Sequence, residues 1–313
     1  MPQMTPRQAR VVDPLLTAIA RGFEPETNLV GDLLFPVVQC DSRTGQLVVF
    51  GNEAFQVQST KRAPGTNVPR TQISYGSDKF VLADHSLDAQ VPVEIGQEAQ
   101  QVGIDMAANS VFAVQNKLAL EREKEAAVLS QTAGNYPSSN KTTLSGSNQW
   151  SHADSNPFAV VDAAKKAVRS KIGRRPNLMV VGPNVLSALR NHPKVLDRLS
   201  TASDRAPATV QQLQALFEVD QIVEGVATEN TGGDTWADLW GNNAVLAYTV
   251  PKSLAQRGSM CYGYTYQLAG MPQVSQGYWD STVRSMVYPV DECYSRYLVG
   301  NIAGYLITDA VAE

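Results

Sequence analysis

The chain has 313 residues, of which 43% are hydrophobic and 18% charged, with a formal net charge of −4. That length allows one large domain or two ordinary ones, and the apolar share is enough for a real core. The acidic balance excludes a general attraction to nucleic acid, and the low charge content points to a surface partly covered by partners. Three cysteines, Cys40, Cys261 and Cys293, lie far apart without CxxC spacing. They support neither a disulfide framework nor a zinc site, and a reducing compartment is the default. No apolar run reaches membrane-spanning length, and Asp13-Pro14 interrupts the short apolar stretch after Arg7 and Arg10. Neither a membrane span nor a signal peptide is expected.

Residues 1–12 are polar. Asp13-Pro14 then opens a short helix, with Asp as N-cap and Pro at the first helical position. Leu15, Leu16, Ile19 and Ala20 give it an apolar face and Gly22 stops it. Two turns cannot fold alone, so this piece must lie on something else. The run Leu33–Val38, a turn at Ser42–Gly45 and a strand Leu47–Phe50 follow. From Gly51 to Ser77 the chain is polar and turn-rich, and Pro64-Gly65 fits a type II turn. Strand character returns at Lys79–Leu82. Together these predict an extended two-stranded ribbon, marginal on its own and an exposed liability on a monomer. An oligomer would lay it on a neighbour.

The strongest helical signal runs from Gly96 to Thr132. It has no proline, and Ile104, Ala107, Val111, Val114 and Leu118 alternate spacings of three and four. That spacing makes one narrow apolar stripe. A helix of roughly 30 residues is about 45 Å long and needs a sheet or another chain along its length. Gly103 weakens the first turns by about 1 kcal/mol relative to Ala. Either the helix bends there or it starts at Asp105. The charged run Glu121–Glu125 reads as a solvated face or as a contact with a neighbouring subunit.

A Ser-, Asn-, Gly- and Thr-rich linker, expected at the surface, extends to Asn156. Asn156-Pro157 caps a helix whose face is Phe158, Val161, Ala164, Val168 and Ile172, and Gly173 closes it. A strand Leu178–Val181, a helix after Gly182-Pro183 that stops at His192-Pro193, a helix near Thr209–Phe217 and a strand Gln221–Ala227 come next. An exposed acidic loop, Thr228–Asn243, precedes a strand Ala244–Val250. This alternation implies a compact α/β unit. Beyond Pro251, Tyr262, Tyr264 and Tyr266 alternate as on a strand. Ser281–Tyr288 and Tyr297–Val311 read as further strands, all expected to return beneath the long helix.

No catalytic constellation is visible. His85, His152 and His192 are the three histidines. His192 precedes a proline at a helix end, which suits capping, and His85 sits beside Asp84, which suits a local hydrogen bond. There is no zinc-hydrolase spacing, P-loop, GxGxxG or GxSxG. Pro183 removes an N–H from the one helix start that resembles an anion site. Glu229, Asp234 and Asp238 do not fit an EF-hand. No catalytic residue, cofactor or metal is assigned, and an enzyme is not expected. The basic cluster Lys61-Arg62 and Arg70 is either solvated or pairs with acidic surface on the next subunit.

Phe35-Pro36-Val37-Val38, the strand ending at Phe50, Arg62–Thr66, Leu82–Leu87 and the long helix carry a further signal. In their order and spacing they resemble the major capsid proteins of tailed bacteriophages, with the HK97-like fold. The resemblance implies an α+β fold: an N-terminal arm at 1–46, an extended loop at 47–77 and a peripheral domain with the spine helix at 78–133. An axial α/β domain at 134–255 and strands at 256–313 returning to the peripheral domain complete it. It implies a structural role: pentamers and hexamers closing into an icosahedral shell around phage double-stranded DNA, without sequence-specific binding. It also implies a scaffolding protein, a portal and decoration proteins as partners, location in the virion capsid, and assembly in the host bacterial cytoplasm. The expected inter-subunit contacts are Lys61, Arg62, Pro64, Gly65, Arg70, Glu121 and Glu125. Some relatives cross-link subunits through a Lys–Asn bond. Lys61 lies in the corresponding region, but no acid to catalyse that bond is visible, and cross-linking is not expected. The arm begins within the first thirty residues, so either scaffolding is a separate protein or a scaffolding segment is already missing, and Met1 favours the first. The alternatives are an encapsulin-like compartment shell, which needs a cargo-docking groove, and an α/β enzyme centred on 157–250.

Overall fold

A computed structural model describes residues 12–23, 29–47, 61, 68, 79–101, 103–199, 206–255 and 259–312. In chain order the elements are α1 (Pro14–Arg21), α2 (Gly31–Leu34), β1 (Val37–Cys40), β2 (Thr44–Gln46), β3 (Lys79–Val81), β4 (Ala83–Pro92), α3 (Val93–Gln101) and α4 (Met106–Gln131). Next come β5 (Lys141–Thr143), α5 (Pro157–Ile172), β6 (Leu178–Val181), α6 (Pro183–Asn191), α7 (Pro193–Leu199), α8 (Val210–Phe217), β7 (Gln221–Glu224), β8 (Thr228–Gly232) and β9 (Thr235–Asp238). The last are β10 (Ala244–Ala247), α9 (Lys252–Ala255), β11 (Gly263–Leu268), β12 (Gln273–Val274), β13 (Tyr278–Asp280), β14 (Ser285–Leu298) and β15 (Gly304–Thr308).

The long helical signal is two helices, not one. Gly103 sits at φ +76°, a left-handed conformation that ends α3. Asp105 then caps α4, its carboxylate accepting from the backbone N–H groups of Ala107 and Ala108 at 3.0 and 3.1 Å. The 26 residues of α4 span about 39 Å. The stripe of Val111, Val114 and Leu118 is buried against Leu16 and Ala20 of α1, Ala89 of β4 and Val290 of β14. Asp13 caps α1 as its sequence implies, at 2.9 and 3.0 Å to Leu15 and Leu16.

Strand β14 organises a six-stranded sheet. One edge pairs antiparallel with all of β4, from Ser285–Pro92 to Tyr294–Ala83. The other meets β13, β12 and β11 in turn, and β1 adds to β11 in parallel. A second sheet has the order β5-β15-β10-β6-β7. Its core includes Phe158, Val161, Ala164, Val168 and Ile172 of α5, the face expected from their spacing.

Three expectations change here. Strand β15 does not join the six-stranded sheet but enters the second sheet, between β10 and β5. Tyr305, Leu306 and Ile307 are buried on both faces, and such a strand needs an interior position covered on both sides. The stretch 133–156 is more than a surface linker, although most of its residues are exposed. It contributes β5, a wholly buried Asn140 that donates to the Ile302 and Gly304 carbonyls, and Trp150 at 1% exposure. Asn135 and Asn140 satisfy backbone carbonyls that a loop would leave to water. Thr228–Asp238 is a hairpin, β8 against β9, turning through Gly232 and Gly233 at positive φ. Strands β2 and β3 pair at the root of the expected ribbon. Apart from Leu47, Lys61 and Val68, the ribbon itself falls outside the described residues.

Candidate assembly surface

The charged run on α4 divides by helical phase. Glu123 turns inward and is 2% exposed. Its carboxylate accepts from the N–H groups of Val30 (3.0 Å) and Gly31 (2.8 Å) and from Trp240 Nε1 (2.8 Å). Burial raises its pKa, and these three donors and Arg296 pull the other way. Gly31 is required at this junction, because a Cβ would lie 2.7 Å from the Ala126 methyl and 2.8 Å from Glu123 Oε2. The side chain of Arg296, on β14, is also buried, at 3% exposure. It donates to Asp32 Oδ1 at 2.8 Å, to Thr265 Oγ1 at 3.1 Å and to the Arg122 carbonyl. Burial lowers its pKa, while the Asp32 carboxylate opposes that. These contacts clamp α2, the middle of α4, β14 and the loop carrying Trp240 together.

The outward side of α4 behaves differently. An open groove of about 1220 Å³ separates it from the β8–β9 hairpin. Leu120, Val128 and Leu129 line it from α4 and Trp236 from β9. Val128 is 59% exposed and Trp236 67%. An ion pair of Lys124 with Glu229 links the two walls. Glu121 and Glu125 stand along the rim.

Of the expected contact residues, Glu121 is exposed and Glu125 half-buried, one turn apart on α4. Lys61 is exposed; Arg62, Pro64, Gly65 and Arg70 lie outside the described residues. His192 does cap: Nδ1 accepts from the Lys194 N–H at 3.2 Å, and Nε2 meets Ser155 Oγ at 2.9 Å. His85 does not bond Asp84, which Arg43 holds; its ring stacks on Tyr294 with centroids 4.2 Å apart. Sequence reasoning passed over Glu123, Arg296 and Trp236. Only Trp236 carried a usable sign, a large aromatic in a glycine-rich polar stretch.

A family model described as phage major capsid protein E matches residues 133–276. The major capsid protein of Burkholderia phage BcepMu is 34% identical over 307 residues, covering 96% of each chain. A crystal structure of a phage-related protein from Bordetella bronchiseptica RB50 is similar with a TM-score of 0.81 and 38% identity, covering 97% of this chain and 98% of that one. The capsid structure of cyanophage P-SCSP1u, at 12% identity and a TM-score of 0.54, covers 92% and 89% and shares the fold alone. A sheet-backed long helix, a clamped arm segment and a second, helix-covered sheet are thus those of an α+β shell subunit with the HK97-like fold. The chain belongs to the phage major capsid proteins, and its role is structural, in the capsid shell.

Proposed function

We propose that copies of this chain form pentamers and hexamers that close into an icosahedral shell around double-stranded DNA. The observation that carries this reading is the open groove on α4, where Val128 and Trp236 remain outside the subunit's own core. Side chains of this size and exposure facing one another across a groove suit burial by a second copy. Head-to-tail placement of one subunit's limb on the next closes rings. The limb is the extended loop at 47–77, and Lys61, Arg62, Pro64, Gly65 and Arg70 meet the next subunit at Glu121 and Glu125. Arm 1–46, peripheral domain 78–133, axial domain 134–255 and returning strands 256–313 are the working parts, with β15 joining the axial sheet. The chain works without catalysis or a cofactor. A scaffolding protein, a portal and decoration proteins serve as partners, assembly takes place in the host bacterial cytoplasm, and the product is the virion capsid.

Expression followed by sedimentation velocity and negative-stain microscopy tests the reading. Shells or ring-shaped capsomers are expected, and a uniform monomer at all concentrations overturns it. Lys61→Glu should reduce assembly and Glu121→Lys in the same chain should restore part of it; equal loss in both variants rejects that pairing.

A further inference from the structure

We propose that His85, Glu121 and Glu125 form a binding site for a first-row divalent metal ion of the zinc type. The three side chains come from two elements that the fold packs together. On β4, His85 shares its face with Ala89, which is buried against the α4 stripe, so the imidazole is on the side of the sheet turned toward α4. On α4, Glu121 and Glu125 are one turn apart and on one face. One ligand atom from each of the three residues lies within 4.8 Å of the other two.

That separation suits an ion between the groups better than direct contact between them. Bonds of about 2.0–2.2 Å to a central ion leave ligand atoms roughly 3–3.5 Å apart. Rotation of the glutamate side chains can close what remains of a separation no greater than 4.8 Å. Among the described residues Lys117 stands one turn before Glu121, and the other nearby cations have partners elsewhere. Lys124 pairs with Glu229, Arg43 with Asp84, and Arg122 lies over the Tyr294 ring and 3.9 Å from Asp32. In the isolated subunit, without the neighbouring loop proposed to meet them in the shell, two carboxylates one turn apart repel each other.

Two further observations favour a cation. The His85 ring is held flat against Tyr294, with 13° between the planes, so its orientation is set before any ion arrives. Directly opposite His85 in the β4–β14 ladder stands Glu292, whose side chain is therefore on the same face. Glu292 is 6% exposed and its Oε2 is buried without a hydrogen-bond partner. A third carboxylate opposite His85 adds to the negative field there, offset in part by Arg122 and Arg296.

One imidazole nitrogen and two carboxylate oxygens, with water completing the shell, form a mixed donor set suited to Zn²⁺. Mg²⁺ and Ca²⁺ prefer oxygen ligands alone. A bound ion would tie the strand that returns from the extended loop to the long helix, fixing the root of that loop.

The test is calorimetric titration of ZnCl₂ into the chelator-treated full chain, with MgCl₂ as control, followed by thermal unfolding with and without zinc. One saturable site per subunit is expected, with a higher melting temperature in zinc and no comparable heat from magnesium. Affinity should fall more than about tenfold in E125Q and in His85→Phe, which keeps an aromatic ring on Tyr294. It should be unchanged in H152A, which removes an exposed histidine elsewhere. No saturable zinc binding, full binding in His85→Phe, or loss of binding in H152A overturns the proposal.

Discussion

Replacing Glu123 tests the clamp between arm and long helix most directly. Three buried donors, the N–H groups of Val30 and Gly31 and the Trp240 indole, converge on its two oxygens at 2.8–3.0 Å. Glu123→Ala strands all three at about 1–3 kcal/mol each. It also removes a negative charge close to the buried Arg296. Against this stands the relief of no longer desolvating a carboxylate, which is itself worth several kcal/mol. The net loss should be about 3–5 kcal/mol, the range found when one member of a buried charged pair is deleted. Glu123→Gln keeps the shape and one acceptor oxygen but turns an NH₂ toward a donor, so about 1–3 kcal/mol is expected. Urea unfolding of the unassembled subunit, followed by tryptophan fluorescence, reads both, because Trp240 is one of the three donors. Losses below about 1 kcal/mol in both variants, or a Gln variant weaker than the Ala variant, would refute the reasoning.

Glu292 gives a pH prediction. Burial raises its pKa, so the folded state holds its proton more tightly than the unfolded chain does. Its stabilising contribution is complete below the ordinary glutamate pKa and is lost as pH rises through the raised value. Glu292→Gln should therefore unfold at higher urea than the parent at pH 8 in the presence of chelator, and the gap should close as the pH approaches 4. A constant gap would assign the effect to packing. Gly182→Ala should cost about 1–3 kcal/mol or prevent folding, since the new Cβ would stand 1.8 Å from the Gly241 carbonyl oxygen; an unchanged urea midpoint would contradict that. Trp236→Ala should leave subunit stability within about 0.5 kcal/mol. If the groove is an interface centre, the same change should weaken assembly by at least about 2 kcal/mol in sedimentation equilibrium. Normal assembly would remove Trp236 from the contact.

Periodicity and capping carried most of the helical fold. Asp13, Asp105 and Asn156 cap where their spacing to apolar runs implies, and Gly173 and His192 close helices as expected. Gly103 marked the break between α3 and α4, although the proline-free helical composition ran on through it. Sheet membership was less legible. Nothing local in Tyr305–Ile307 says which of two sheets it joins, because a strand buried on both faces reads alike in either. The stretch 133–156 misled through composition: Asn135 and Asn140 satisfy backbone carbonyls within the fold, while most of its serines stay exposed. The clamp was hidden for a related reason. Glu123 lies within five consecutive charged residues, and only helical phase in three dimensions separates it from Glu121 and Glu125. The groove required knowing that the β8–β9 hairpin stands across from α4, which no spacing along the chain reveals.

The insertion of β15 between β5 and β10 has a consequence for vectorial synthesis. A ribosome makes β5, β6, β7 and β10 long before it reaches residues 304–308, and until then their sheet has a gap one strand wide. The unit that looks self-sufficient at 134–255 should therefore behave as an open-edged intermediate if excised, regaining order only when a peptide bearing Gly304–Thr308 is supplied in trans.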